Sequence, residues 1–243
     1  HNPSGTTPYV TYGLMAANIL AFLGYWPLFS DPRALNAFFM EWAMVPVLVT
    51  QEGAYLNVLS SMFMHGGFLH LAGNMLFLWI FGDNMEDEMG HIGYLLFYLA
   101  CGISAALAQL MAAPQSTVPM VGASGAIAGV MGGYLLLFPK ARVDILVIII
   151  FFIQIITVPA WIMLALWFAF QLFGGVGMDA AAGGVAYWAH AGGFAVGAVL
   201  TLPLLARRGG ARFWRKTRGH PPHPDADYRH VRSRVPRAGR RRK

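Results

Sequence analysis

The chain is short of charge. Only 12% of its 243 residues are Asp, Glu, Lys or Arg, roughly half the share of a soluble domain, while 57% are apolar. A soluble globule cannot hide that much apolar surface, so a membrane protein is expected. Cysteine is nearly absent. Cys101 stands alone, which excludes an internal disulfide and a multi-cysteine zinc site. The glycine-rich stretch 174–184 contains no lysine and matches neither a phosphate-binding loop nor a dinucleotide motif.

The charges that are present leave long gaps. Uncharged runs of 30, 51, 34 and 27 residues follow Glu52, Glu88, Asp144 and Asp179, and a spanning helix needs roughly 20 apolar residues. Six spans are expected, at about 12–29, 68–81, 92–112, 122–138, 145–173 and 187–205. The fold class is thus an all-α membrane protein, a six-helix bundle over 1–206. No Lys or Arg precedes the first apolar run and no clear cleavage site follows it, so it reads as a span rather than a signal peptide. The connection 31–66 is apolar but broken by Glu41, Pro46 and Glu52, as in an interfacial segment. Asp83, Glu86, Asp87 and Glu88 are expected to form a turn closing the second span, Pro159 to kink the fifth, and 174–184 to be a loop.

Residues 207–243 hold 14 of the 17 Lys/Arg and 2 of the 11 Asp/Glu. The basic excess therefore belongs to a tail, not to a nucleic-acid-binding domain. Alternating spans put this tail, Lys140 and Arg142 on one side, which then carries 16 of the 17 Lys/Arg. That side is expected to be cytoplasmic, with both termini on it. The tail, rich in Arg, His, Pro and Gly, is expected to lack a core and to touch anionic lipid.

Polar groups inside spans are costly and ask for a reason. His70 and Asn74 lie in the second span, Ser124 in the fourth and His190 in the sixth. These three spans run in one direction, and each residue falls in the outer half of its span, so all four share a depth. Gly125, Gly129 and Gly133 in the fourth span, with Gly193 and Gly197 in the sixth, allow backbones to approach closely. The same packing could bring Ser124 to His190. The fourth span rises only about 25 Å, against a hydrocarbon core of about 30 Å. Ser124 then sits at a buried helix N-terminus, which favours an anion such as a developing oxyanion.

His70 and Asn74, spaced i, i+4, share a helix face and can both donate. They suit either an oxyanion site or a structural pair joining spans. A nucleophilic serine needs a base, and imidazole is the usual one. No acid lies at this depth, so the arrangement would be a dyad rather than a triad. A zinc site from His65, His70 and His190 lacks both HExxH and a carboxylate partner. Residues 122–126 are not G-x-S-x-G, because position 126 is alanine.

With Gly122-Ala123-Ser124-Gly125, Ala189-His190-Ala191-Gly192-Gly193 plus Gly197, and His65, His70 and Asn74, most of 10–206 resembles a rhomboid intramembrane serine protease. The stretch Phe81 to Asp87 is similar to prokaryotic members. The resemblance implies a six-helix rhomboid fold in a cell membrane, with Ser124 as nucleophile and His190 as general base and acid. It implies that His70 and Asn74 join the Ser124 N–H in stabilising the oxyanion. Substrates would be transmembrane segments of other proteins, cut at small residues and entering near the fifth span. No cofactor is implied. The chain departs from the family at two places. Leu56-Asn57 stands where many members have Trp-Arg, and Ala128 where many have an aromatic stacked on the catalytic histidine. Two other readings are a silent rhomboid-like protein that binds membrane segments and a small transporter with a histidine proton relay.

Overall fold

The computed structural model describes residues 2, 4–149, 152–177 and 184–221. Helix α1 (Tyr9–Tyr25) runs into a 3-10 turn, Trp26–Ser30. Three short helices follow: α2 (Pro32–Trp42), α3 (Pro46–Glu52) and α4 (Asn57–Ser60). The long helices α5 (Phe68–Met89) and α6 (His91–Ala112) meet at Gly90, whose φ of 70° permits the tight reversal. Then come α7 (Ser124–Leu137), strands β1 (Arg142–Ile149) and β2 (Phe152–Pro159), α8 (Ala160–Gly177), α9 (Tyr187–Arg207) and α10 (Ala211–Thr217).

The molecule is a helical membrane bundle. Among the described residues, four helices are long and apolar enough to cross a membrane: Tyr9–Ser30, His91–Ala112, Ala160–Gly177 and Tyr187–Arg207. A fifth is reached if α5 is counted with Asn57–Phe63, from which it is bent by 90°. Helix α7 has 14 residues and rises only about 21 Å. It is nevertheless the centre of the bundle, with nearly every residue from Gly125 to Tyr134 buried among α5, α6 and α9.

Glycine makes the α7–α9 seam. A Cβ at Gly197 would run into the backbone carbonyl of Gly129, and one at Gly193 into that of Gly125. Only hydrogen fits at either place, so the two backbones touch without side chains between them.

The acidic stretch expected to be a turn lies inside α5, which continues to Met89. Its carboxylates are taken up by partners, so the helix has no need to end there. Glu86 accepts from the N–H groups of Val10 and Thr11 (2.9 and 2.8 Å) and from the Thr11 hydroxyl (2.7 Å), which caps the start of α1. Asp87 accepts from the backbone of Gly5 and from Thr6, and Glu88 pairs with Arg208 at 2.9 Å.

The fifth span is a second correction. Residues 145–173 are not one kinked helix. An antiparallel hairpin runs from the pair Arg142–Pro159 to Ile149–Phe152, and α8 starts only at Ala160. Pro159 ends the hairpin instead of kinking a helix. β-Branched residues dominate the hairpin (Val143, Ile145, Ile155, Ile156, Val158), and such residues favour strands. The expected loop 174–184 is helical through Gly177, and 178–183 lie outside the described residues. The basic segment is also ordered at its start. Phe213 of α10 is buried against Phe138, with ring centroids 6.2 Å apart, and Trp214 Nε1–H donates to the Leu136 carbonyl at 3.0 Å. Residues 222–243 lie outside the described residues.

Candidate active site

Helix α7 begins at Ser124, inside the bundle, after a glycine that nothing else could replace. Gly122 has a φ of 131°, and a Cβ there would lie 2.9 Å from His70 Nε2 and 3.4 Å from Ser124 Oγ. Its N–H donates to the Ser61 carbonyl at 2.9 Å, which fixes the approach to the helix. The first intrahelical bond runs from Ile127 N–H to the Ala123 carbonyl at 3.0 Å. The N–H groups of Ser124, Gly125 and Ala126 therefore open the helix without a carbonyl one turn back.

Across the glycine seam, His190 stands in the first turn of α9. Its Nε2 is 2.7 Å from Ser124 Oγ. The seam and the short helix thus bring together the serine and histidine, as the glycine spacing led one to expect. On its other side, His190 Nδ1 is 2.9 Å from Gln171 Oε1 of α8, and Trp167 of the same helix lies against the ring.

His70 and Asn74 both lie on the face of α5 turned to this pair. Together with Ser124, His190, Trp167 and Phe77 they line one pocket of about 230 Å³. Gly66 N–H approaches His70 Nδ1 at 3.3 Å, which leaves the ring proton on Nε2, the nitrogen beside Gly122. Asn74 is buried, and its Nδ2 has no hydrogen-bond partner among the described residues. Two donors therefore line the same pocket as the serine.

A larger cavity of about 430 Å³ also reaches Ser124, His70 and His190. Its wall is built mainly from small residues, among them Gly102, Ala105, Ala106, Gly125 and Ala189. Met120, which also lines it, is tied to Met44 between α2 and α3 by a reciprocal backbone pair, 3.2 and 2.8 Å. His65 is buried beside His70, with ring centroids 5.1 Å apart. Its backbone and the Tyr25 hydroxyl hold one another: His65 N–H donates to Tyr25 Oη at 2.6 Å, and Tyr25 O–H donates to the His65 carbonyl at 3.0 Å.

The two departures noted in the sequence have structural answers. Asn57 Nδ2 donates to the carbonyls of Glu41 and Ala43 at 2.9 and 3.1 Å, so it ties α4 to the end of α2. Ala128 is fully buried in α7, and the aromatic beside the histidine comes from α8 instead. Gln171 carries no charge, so it does not stand out in the sequence as a partner for the histidine. It is the one polar side chain between Ala160 and Phe173, and that isolation was the available signal.

A family model, the rhomboid domain, matches residues 52–207 and so spans Ser124, His190, His70, Asn74 and Gln171. The chain belongs to the rhomboid family. Among curated rhomboids it is 31% identical over 138 residues to the mitochondrial rhomboid protein 1 of Saccharomyces cerevisiae, covering 55% of this chain and 38% of that one. It is 39% identical over 84 residues to the rhomboid protease GluP of Bacillus subtilis, covering 35% and 16%. It is 29% identical over 136 residues to the mitochondrial presenilin-associated rhomboid-like protein of Pongo abelii, covering 55% and 34%. The matches span less than half the length of these three relatives. A bacterial rhomboid and mitochondrial ones are thus both represented.

Proposed function

We propose that this rhomboid is an intramembrane serine endopeptidase that cuts transmembrane segments of other membrane proteins. The observation that carries the reading is the 2.7 Å approach of Ser124 Oγ to His190 Nε2, within a helical membrane bundle. In this reading α1, α5, α6, α7, α8 and α9 are six spans of a cell-membrane protein, with both termini cytoplasmic.

The chemistry follows from the donors and acceptors around Ser124. The hydroxyl gives its proton to His190 Nε2 as Oγ attacks the scissile carbonyl carbon. The carbonyl oxygen gains negative charge. In this reading the Ser124 N–H at the start of α7, His70 Nε2–H and Asn74 Nδ2–H donate to it. Collapse of the adduct breaks the C–N bond, and His190 returns the proton to the leaving amine. Water then repeats the sequence on the acyl-serine, losing a proton to His190 and releasing the acid and Ser124. The small-residue cavity suits a short substrate side chain beside the bond to be cut.

The test is labelling by a fluorophosphonate probe, in micelles and in liposomes, of wild type, Ser124→Ala and His190→Ala, together with cleavage of a transmembrane reporter. Labelling and cleavage confined to wild type are expected. A folded wild type that binds the reporter without labelling or cleavage in either medium would instead favour a silent segment-binding protein. Solute flux that survives Ser124→Ala would favour a transporter.

A further inference from the structure

We propose that Gln171 is the positioning residue of the base, holding the neutral His190 imidazole with its proton on Nδ1 and its lone pair turned to Ser124. The inference rests on the protease reading and goes beyond it, since it puts an uncharged amide on a different helix where a carboxylate usually stands.

Three observations carry it. Gln171 Oε1 lies 2.9 Å from His190 Nδ1, and Oε1 is an oxygen that can only accept. A close contact to it therefore requires a proton on Nδ1, which leaves Nε2 as the acceptor for the Ser124 hydroxyl 2.7 Å away. The orientation of the amide is set by its other end: Nε2 of Gln171 faces the Trp167 carbonyl one turn back at 3.4 Å. Turning the amide over would set its NH2 against His190 and its oxygen against a carbonyl. Burial completes the argument. Gln171 is 8% exposed, so water does not compete for the bond, and a buried amide without this partner would be costly.

The amide differs from an acid in what it does. It selects the tautomer and aims the ring, but it adds no negative charge to steady the imidazolium that forms during attack. Its removal is therefore expected to cost less than the loss of a tautomer-fixing aspartate, which is about 10⁴-fold in kcat. It also ties the base to α8, so the ring is aimed only while α8 stays packed on α9.

The experiment compares Gln171→Met, which keeps the length but removes the acceptor, with Gln171→Glu, which keeps an acceptor oxygen. Both are tested in liposomes against a transmembrane reporter. Gln171→Met is expected to lower kcat by roughly 10- to 100-fold, the range seen when a residue that orients a functional histidine is lost, with KM little changed. Gln171→Glu is expected to recover most of kcat. Nitrogen-15 spectra of the histidines are read alongside, with His190 assigned by difference from His190→Ala. Wild type should show the Nδ1–H tautomer at His190, and Gln171→Met a mixture. Wild-type kcat in Gln171→Met, or an Nε2–H tautomer in wild type, overturns the proposal. If wild type neither labels nor cleaves, the protease reading has failed, and the tautomer in wild type still decides what Gln171 does. If the methionine variant does not fold, the glutamate variant and the wild-type spectrum decide.

Discussion

Trp167 lies against the His190 imidazole, with ring centroids 5.7 Å apart and planes inclined by 37°. The indole is itself held: Phe194 of α9 is 6.0 Å away and also stacks on Phe168 at 4.6 Å. The wall beside the histidine is thus an aromatic cluster joining α8 and α9. An aromatic contact of this kind is worth about 0.5–1.5 kcal/mol. Trp167→Ala should therefore slow reporter cleavage by roughly 2- to 12-fold, and Trp167→Phe should retain most of the rate. Steady-state kinetics in liposomes would check both, and an alanine variant at the wild-type rate would remove the ring from the account.

The two spare donors on α5 make a separate prediction. His70→Ala and Asn74→Ala should each lower kcat by about 10²–10³-fold, the usual cost of one oxyanion donor. Binding of an uncleaved reporter to Ser124→Ala carrying either change should be nearly unchanged. A loss in binding with kcat preserved would reassign the pair to holding spans together.

The glycine seam predicts a loss of fold rather than of chemistry alone. Gly197→Ala forces a methyl group into the Gly129 carbonyl, and overpacking of this kind costs typically about 1–3 kcal/mol. A lower midpoint in thermal or denaturant unfolding is expected, with fluorophosphonate labelling falling in parallel. The control Gly73→Ala, where a Cβ meets nothing within 4 Å, should unfold like wild type.

At the other end of the bundle, Glu86 caps α1 from inside α5. Glu86→Ala leaves the N–H groups of Val10 and Thr11 without their acceptor, and a hydrogen bond to a charged group contributes about 1.5–3 kcal/mol. Hydrogen exchange should rise at the start of α1 and stay low in α7. Protection unchanged at residues 10–11 would rule out the cap.

Much of the site was legible because polar side chains are conspicuous in apolar runs. Ser124, His190, His70 and Asn74 stand out for that reason, and the glycines indicate which helices can touch. Gln171 carries the same signal but no charge, and an amide is less conspicuous than an acid as a partner for imidazole. The hairpin was hidden for a different reason. Between Asp144 and Asp179 hydropathy is high throughout, and hydropathy alone does not separate a buried strand from a helix. The isoleucine and valine content before Pro159 was the distinguishing cue. Helix α10 was hidden by its neighbours: Phe213 and Trp214 sit among arginines, and only the contacts with Phe138 and Leu136 explain why they are ordered. The acids of 83–88 read as a turn because Glu86, Asp87 and Glu88 also have partners far away in sequence, at residues 5–11 and 208.

The seam between α7 and α9 is unlike an ordinary helix contact, where long side chains can change rotamer to absorb a displacement. Here main chain meets main chain, and there is nothing to rearrange. The line through Ser124 and His190 is the stiff axis of the molecule. Helix α8 borders this axis through side chains such as Trp167, Phe168 and Leu164, which can give. A bilayer that thins or thickens is therefore expected to deform the protein at α8 before it deforms the seam. On that expectation the spacing between serine and histidine is insulated from lateral pressure, and the aim of the imidazole is what the surrounding lipid adjusts.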